Sequence, residues 1–239
     1  MAPLMYEGAF PAEEASLAVT AAELTELGEF LLFPIQLLAF VSSVGLYLSP
    51  YPIIKRIVRQ NTTGNFSHLP YLANFVNAGL ATFYGFHVRN TFLMMLNSFG
   101  ITVSAGFLFT YQQYSPLRMR LLCELLFYTI MILAMCFTAA VLEHHNGRLL
   151  LGTVQNFVSV AGSVSPLATL RVVFEQKSTE SMPFILVLMN ALASLSWFSY
   201  GVLLNDWFLK IPNFLGMVLS AYQLSLFVRF PPHRSQALG

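Results

Sequence analysis

Asn97 and Asn213 stand 116 positions apart, each inside a long uncharged stretch, and Trp197 lies in a third such stretch nine residues before Asp206. An asparagine amide offers one carbonyl acceptor and two N–H donors, which suits a hydroxyl that both gives and takes a hydrogen bond. An indole adds a flat apolar face on which C–H groups can stack. Counted from the nearest charges, Arg89 and Asp206, the asparagines lie eight and seven residues inward, roughly 10 to 12 Å along a helix. Polar side chains at such depth in an apolar medium are costly unless they meet a partner or a cavity. Hydrogen bonding between packed helices is the alternative use of a single amide. Two amides at equivalent places favour a shared central site, and together with Trp197 they suit a neutral ring with C–H faces and several hydroxyls, the surface of a sugar.

Around these three residues the neighbouring positions are mostly small. Ala81 is the counterpart of Trp197 one repeat earlier, Asn77 and Ala193 fall one turn below that pair, and Leu46 and Gly162 fall one turn from two prolines. These five are expected on the walls of a roomy cavity. Pro50 and Pro166 stand near the ends of the first helices of the two copies, and Pro70 and Pro183 near the starts of the second. A proline inside a helix removes one backbone hydrogen bond and clashes with the preceding turn, so the four positions are candidate hinges. No Asp, Glu, Lys or Arg falls inside the helices of either copy; Glu124, on the helix between them, is the nearest. Without a titratable group in its path, such a protein is expected to move a neutral substrate passively.

What positions these residues is a duplication. Shifting the chain by 116 places Ser165–Gly216 on Ser49–Gly100 without a gap, and 49–108 against 165–224 gives 15 identities in 60 positions. Tyr200-Gly201 falls on Tyr84-Gly85, Asn190 on Asn74, Phe208-Leu209 on Phe92-Leu93, and Gly216 on Gly100. With 56% hydrophobic and 10% charged residues, the chain has too little charge to cover a soluble surface. Charges divide it into seven apolar intervals of 18 to 29 residues, each long enough to cross a bilayer at about 20 residues per span. The predicted fold is therefore an all-α membrane protein whose seven helices form two parallel three-helix repeats joined by a single linker helix, three plus one plus three. An odd linker is needed if both copies are to share one orientation.

Nine of the twelve Lys and Arg collect on one side if the amino terminus is outside, which sets the cytoplasmic face there. The first 29 residues carry six Glu and no basic residue, so they do not read as a basic-headed secretory signal. Cys123 and Cys136 share the linker helix about 20 Å apart and cannot pair. His144-His145 is the one histidine pair, and no metal site, cofactor or nucleic-acid partner is expected.

At these positions the chain resembles the SWEET sugar transporters, also called the MtN3/saliva family. The likeness runs from about Phe30 to Phe230 and rests on Ser49-Pro50, Lys55-Arg56, the run Thr63 to Tyr71, Phe83-Tyr84-Gly85, Ser165-Pro166-Leu167, the run Gln176 to Phe184, the run Ser196 to Gly201, and Ile211-Pro212-Asn213. It implies two three-helix bundles joined by an inversion linker helix, and energy-independent, bidirectional movement of mono- or disaccharides. It implies a hinge tetrad at Pro50, Pro70, Pro166 and Pro183, a central pocket that includes Asn97, Asn213 and Trp197, and an extracellular gate at Tyr84 and Asp206. The expected segments are an acidic external stretch 1–29, a first repeat 30–117, a linker helix 118–147, a second repeat 148–230 and a cytoplasmic tail 231–239. The expected partners are a small neutral sugar, glucose-like or sucrose-like, and the lipid bilayer, with homo-oligomerisation left open and the plasma membrane favoured over Golgi or vacuole. A PQ-loop amino-acid carrier, which would carry a buried acid, and a seven-helix receptor, which would lack the repeat, are the alternatives.

Overall fold

The computed structural model describes residues 12–162, 164–180 and 182–232, and for 12–25 and 162–169 the backbone alone. Among them are nine helices and no strand: α1 (Ala12–Leu48), α2 (Tyr51–Gln60), α3 (Leu69–His87), α4 (Thr91–Tyr114), α5 (Arg118–Val141), α6 (His144–Gly162), α7 (Val164–Gln176), α8 (Phe184–Leu203) and α9 (Trp207–Arg229). Helix α1 runs back through the acidic segment to Ala12, because Ala, Glu and Leu are strong helix formers and nothing before Pro34 interrupts them.

Proline explains where the first apolar interval breaks. Pro50 has no N–H to give, and it disfavours helical geometry in the residue before it. Helix α1 stops at Leu48, and α2 restarts at Tyr51 with Pro50 as its N-cap. In the second repeat α6 is described as far as Gly162 and α7 from Val164, with residue 163 outside the described residues. Pro166 falls early in the described part of α7, and its side chain also lies outside the described residues. Pro70 sits in the first turn of α3 and Pro183 is the N-cap of α8, where a missing N–H costs no intrahelical bond.

Backbone geometry repeats as the sequence does. Four non-glycine residues have left-handed φ, and they form two pairs 116 positions apart: Asn61 with Lys177, and Arg89 with Asn205. The first pair follows α2 and α7, and the second makes the turns from α3 to α4 and from α8 to α9. In those turns Asn90 N–H bonds Gly85 O and Asp206 N–H bonds Gly201 O, both at 2.8 Å. A Cβ on Gly85 would lie 3.0 Å from Met94 N, and one on Gly201 2.9 Å from Leu209 Cβ, so only glycine lets the helix pairs close this tightly.

The repeats interlock. Helix α1 packs on α8 and α4, and α6 packs on α3 and α9, so the first helix of each repeat lies against the second helix of the other. Helix α5 packs on α3, α4 and α6 from the periphery and buries only Leu121, Ile132 and Ala139. Three apolar cores result. At the end that carries the α3–α4 and α8–α9 turns, here the turn end, Tyr84, Leu93, Ala139, Leu151, Tyr200 and Leu209 from both repeats form one cluster. At the opposite, proline end the repeats keep separate clusters, one around Ile57, Tyr71 and Leu108 and another around Val173, Val187 and Leu226.

Five stretches are long and apolar enough to cross a membrane: 26–60, 91–114, 118–141, 184–203 and 207–229. The sequence had pointed to seven. Helices α3 and α6, of 19 residues each, fall short because they carry Asn74 and Asn77, and Gln155 and Asn156, within their length. Large apolar side chains such as Phe30, Met95, Ile130, Phe157 and Val228 are exposed around the bundle, as a lipid-facing surface requires.

Candidate functional site

A cavity of about 370 Å³ lies at the centre of the bundle, walled by α1, α3, α4, α6, α8 and α9. Leu46, Asn77, Ala81, Asn97, Ala193, Trp197 and Asn213 all line it, so seven of the eight positions singled out from sequence come together here. The eighth, Gly162, ends α6, and its surroundings lie outside the described residues. None of the lining residues carries a formal charge.

The two asparagines hold the same posture. Asn97 Nδ2 donates to Leu93 O and Asn213 Nδ2 donates to Leu209 O, both at 2.8 Å, each to the carbonyl four residues back. Their carbonyl oxygens differ. Tyr47 Oη donates to Asn97 Oδ1 at 2.9 Å, and the Tyr47 ring lies over Gly100, where any Cβ would overlap it. Asn213 Oδ1 has no partner among the described residues and faces the cavity. Asn97 therefore serves helix packing and the cavity wall together, while the carbonyl of Asn213 is available to a ligand.

Trp197 is held by its edge and one side. Its Nε1–H donates to Ser43 Oγ on α1 at 2.9 Å, and its ring lies 5.8 Å from those of Phe92 and Tyr200. Ser159 Oγ on α6 donates to Asn77 Oδ1 on α3 at 2.7 Å. The polar lining continues toward the proline end through Asn74, Asn190, Ser220 and Gln223. Asn74 and Asn190 are repeat counterparts, a signal present in the sequence that reasoning from depth alone passed over. Ser43 carried the same signal, being the repeat counterpart of Ser159; Tyr47, which falls on a serine, carried none and matters only through the helix it faces.

At the turn end the cavity is roofed by contacts that cross between repeats. Tyr84 Oη donates to Asp206 Oδ2 at 2.7 Å, and Arg148 Nη2 lies 3.3 Å from the same oxygen. The mirror contact joins Asn90 Nδ2 to Tyr200 Oη at 2.9 Å. Tyr84 and Tyr200 are repeat counterparts, and so are Asn90 and Asp206. The sequence reading named only the Tyr84–Asp206 half. Beneath them Phe208 packs edge-on to Tyr84 at 5.8 Å, and its counterpart Phe92 packs edge-on to Tyr200 at 5.5 Å.

A family model described as "Sugar efflux transporter for intercellular exchange" matches residues 33–118 and 149–235, the two repeats without the helix between them. The chain belongs to this family, the SWEET sugar transporters. Among SWEET relatives, the "Bidirectional sugar transporter SWEET2a" of Sorghum bicolor is 33% identical over 195 residues, covering 77% of this chain and 79% of that protein. The "Sugar transporter SWEET1" of Drosophila pseudoobscura pseudoobscura is 29% identical over 204 residues, covering 84% and 90%. A solved structure titled "The 3.7 A resolution structure of a eukaryotic SWEET transporter" matches with a TM-score of 0.81 and 28% identity, over 85% of this chain and 98% of that one. The chain is thus an integral membrane protein of a transporter family, not of an enzyme family.

Among the described residues, the charged pairs and histidines of this SWEET chain named below lie away from the cavity. Glu124 on α5 is paired with His68 Nε2 at 2.6 Å and Arg120 Nε at 2.9 Å. His87 and His144 stack with ring centroids 4.5 Å apart, each Nε2 meeting the other's backbone carbonyl. Among the described residues no group of three or more His, Cys, Asp or Glu could hold a metal.

Proposed function

We propose that this chain is a passive, bidirectional uniporter for neutral mono- or disaccharides that works by alternating access. The observation that carries the reading is the contrast between the two ends of the uncharged cavity: one end roofed by contacts that cross between repeats, the other with a separate core for each repeat. A carrier needs a site that is closed on one side while the halves stand apart on the other, and a hinge that reverses the arrangement. In this reading Asn97, Asn213 and Trp197 hold the sugar, with Ala81, Asn77, Ala193, Leu46 and Gly162 shaping the space around it. Tyr84 and Asp206 gate the outer mouth, joined by Arg148 and by Tyr200 with Asn90. Pro50, Pro70, Pro166 and Pro183 are the hinges.

Seven spans follow if α1 with α2, and α6 with α7, each count as one, and if α3 and α6 cross despite their polar content. Asn74, Asn77 and Gln155 line the cavity and the Asn156 carbonyl is buried, so these amides do not face lipid, which removes the objection to placing the helices in a bilayer. The arrangement is then three plus one plus three, with α5 as linker, the turn end outside and the proline end in the cytoplasm at the plasma membrane. The amino-acid carrier and receptor alternatives lose their ground with the SWEET membership and the absence of charge from the cavity wall. Counterflow of labelled glucose and sucrose in proteoliposomes, with and without a pH gradient, tests the function. Exchange in both directions that ignores the gradient is expected; flux that follows the proton gradient, or no flux of any sugar, would overturn it.

A further inference from the structure

Gln155 differs from every other polar residue on the cavity wall. It lies on α6, lines the cavity and is only 7% exposed, yet its Oε1 is buried with no hydrogen-bond partner. Its amide nitrogen also has none among the described residues. Native interiors rarely leave a buried amide oxygen unpaired, and such a group calls for a physical reason. Asn156 Oδ1, the next residue along α6, is orphaned as well but lies off the cavity; at Gln155 the cavity is at hand to supply the amide with a partner.

Its level in the bundle supplies the reason. Arg148 near the start of α6 touches Asp206, the N-cap of α9. Seven residues inward from Arg148 is Gln155, and seven residues inward from Asp206 is Asn213, each about 10 Å along its helix. Asn97 is likewise seven residues inward from Asn90, the counterpart of Asp206. Three amides thus share one level around the cavity. One turn toward the roof stands Gly152, where a Cβ would come within 2.5 Å of the Phe208 ring, so α6 is drawn close to α9 beside Gln155. One turn the other way stands Ser159, which is bonded to Asn77 across the cavity wall.

The third amide adds to the asymmetry of the other two. The repeat counterpart of Gln155 is Ala39, fully buried with no polar group to offer. Asn97 and Asn213 already differ, since Tyr47 occupies the carbonyl of Asn97 and leaves that of Asn213 free among the described residues. A third amide on one side widens that difference.

We infer that Gln155 is a specificity-determining contact for the substrate, its amide nitrogen, which is not sealed off as its oxygen is, donating to one ring hydroxyl that neither asparagine reaches. The inference rests on the sugar reading of the cavity. It follows that the bound sugar gives the amide nitrogen a partner that the protein does not, so loss of the amide should weaken binding without weakening the fold.

The experiment compares the full-length wild type with Gln155→Leu, which keeps the length and removes the polar atoms, and with Gln155→Asn, which withdraws the amide by one carbon. Two readings are made on each: melting in detergent without sugar, and half-saturation in proteoliposomes for glucose and its 2-, 3-, 4- and 6-deoxy analogues. Gln155→Leu should raise half-saturation for the best parent sugar about ten-fold. It should also abolish discrimination against a single deoxy analogue and leave the sugar-free melting temperature equal or higher. Gln155→Asn should fall between. If half-saturation and the deoxy pattern are unchanged, or if melting falls while the deoxy pattern stays that of the wild type, Gln155 is a packing residue and the inference is wrong. If the wild type moves none of these sugars, the sugar reading itself fails and takes this inference with it.

Discussion

At the turn end two hydrogen bonds run from one repeat to the other, Tyr84 to Asp206 and Asn90 to Tyr200, with Arg148 backing Asp206 from its own repeat and one shared apolar core behind them. At the proline end the same two repeats bond inward. Tyr111 Oη donates to Phe66 O within the first repeat at 2.6 Å, and Thr179 donates to Phe230 O within the second, from both its N–H and its hydroxyl. Both repeats contribute to each end, so the difference is not one of which repeats are present. It is a difference in which repeat supplies the partner. In the proposed alternating-access reading, this is the state closed at the turn end, with side chains at one end satisfied across the divide and at the other satisfied at home.

The contrast can be broken most forcefully at the roof. Tyr84→Phe removes a hydrogen bond to a charged acceptor, worth about 1.5 to 3 kcal/mol, and should shift the population toward the state open at the turn end by roughly 10- to 150-fold. In a background carrying Cys123→Ser and Cys136→Ser, a single Leu209→Cys reports this: an impermeant thiol reagent added on the turn side should label it much faster in the Tyr84→Phe protein. Equal labelling rates would count against the latch.

A next-largest effect is expected at the other end. Pro50→Ala made together with Pro52→Ala, which would otherwise keep the break from the first turn of α2, allows α1 and α2 to run on as one helix, and flux should fall by about an order of magnitude while half-saturation changes little, since neither proline lines the cavity. Normal flux in that variant, in Pro166→Ala and in the two combined would leave these prolines as ordinary helix-end residues.

Two smaller effects sharpen the picture. Tyr200→Phe loses a bond between neutral groups, worth about 0.5 to 1.5 kcal/mol, so its shift in labelling should be only about 2- to 10-fold. A Tyr200→Phe effect equal to that of Tyr84→Phe would mean that charge adds nothing to the latch. In the cavity, Asn213→Ala should weaken sugar binding by about 2- to 10-fold with little change in melting temperature. Asn97→Ala, which also strands the Tyr47 hydroxyl, should lower the melting temperature as well. Identical losses from both asparagines would erase the difference drawn between them.

Sequence carried the duplication, the depth of the asparagines and the breaking power of Pro50, because each is a property of a residue and its neighbours along one helix. The partners of those residues were not legible. Ser43 under Trp197, Tyr47 beside Asn97 and Asn90 beneath Tyr200 depend on how one repeat faces the other, and that facing leaves no trace in composition or spacing. Helices α3 and α6 show the same limit from the other side. Their amides lower the apolar content that marks a span, and only the packing shows that those amides turn inward. The extension of α1 to Ala12 was legible in principle from its alanines and glutamates, but a reading centred on charge treated that stretch as a boundary.

Each cap residue at the turn end divides its work between two atoms. Asp206 Oδ1 accepts from Phe208 N–H and holds the first turn of α9, while Oδ2 carries the latch to Tyr84. Asn90 Oδ1 accepts from Leu93 N–H for α4, while Nδ2 reaches Tyr200. If the mouth parts as proposed, the bonds to Tyr84 and Tyr200 are the ones spent, including a second one of 3.2 Å from Tyr200 Oη to Asn90 Oδ1, while both cap bonds remain. Such a motion would need no local melting and no refolding on the return stroke, and its speed would be set by how fast two stiff levers swing and not by how fast a helix end can rebuild itself. Amide exchange at Leu93 and Phe208 should accordingly stay slow through many cycles of opening.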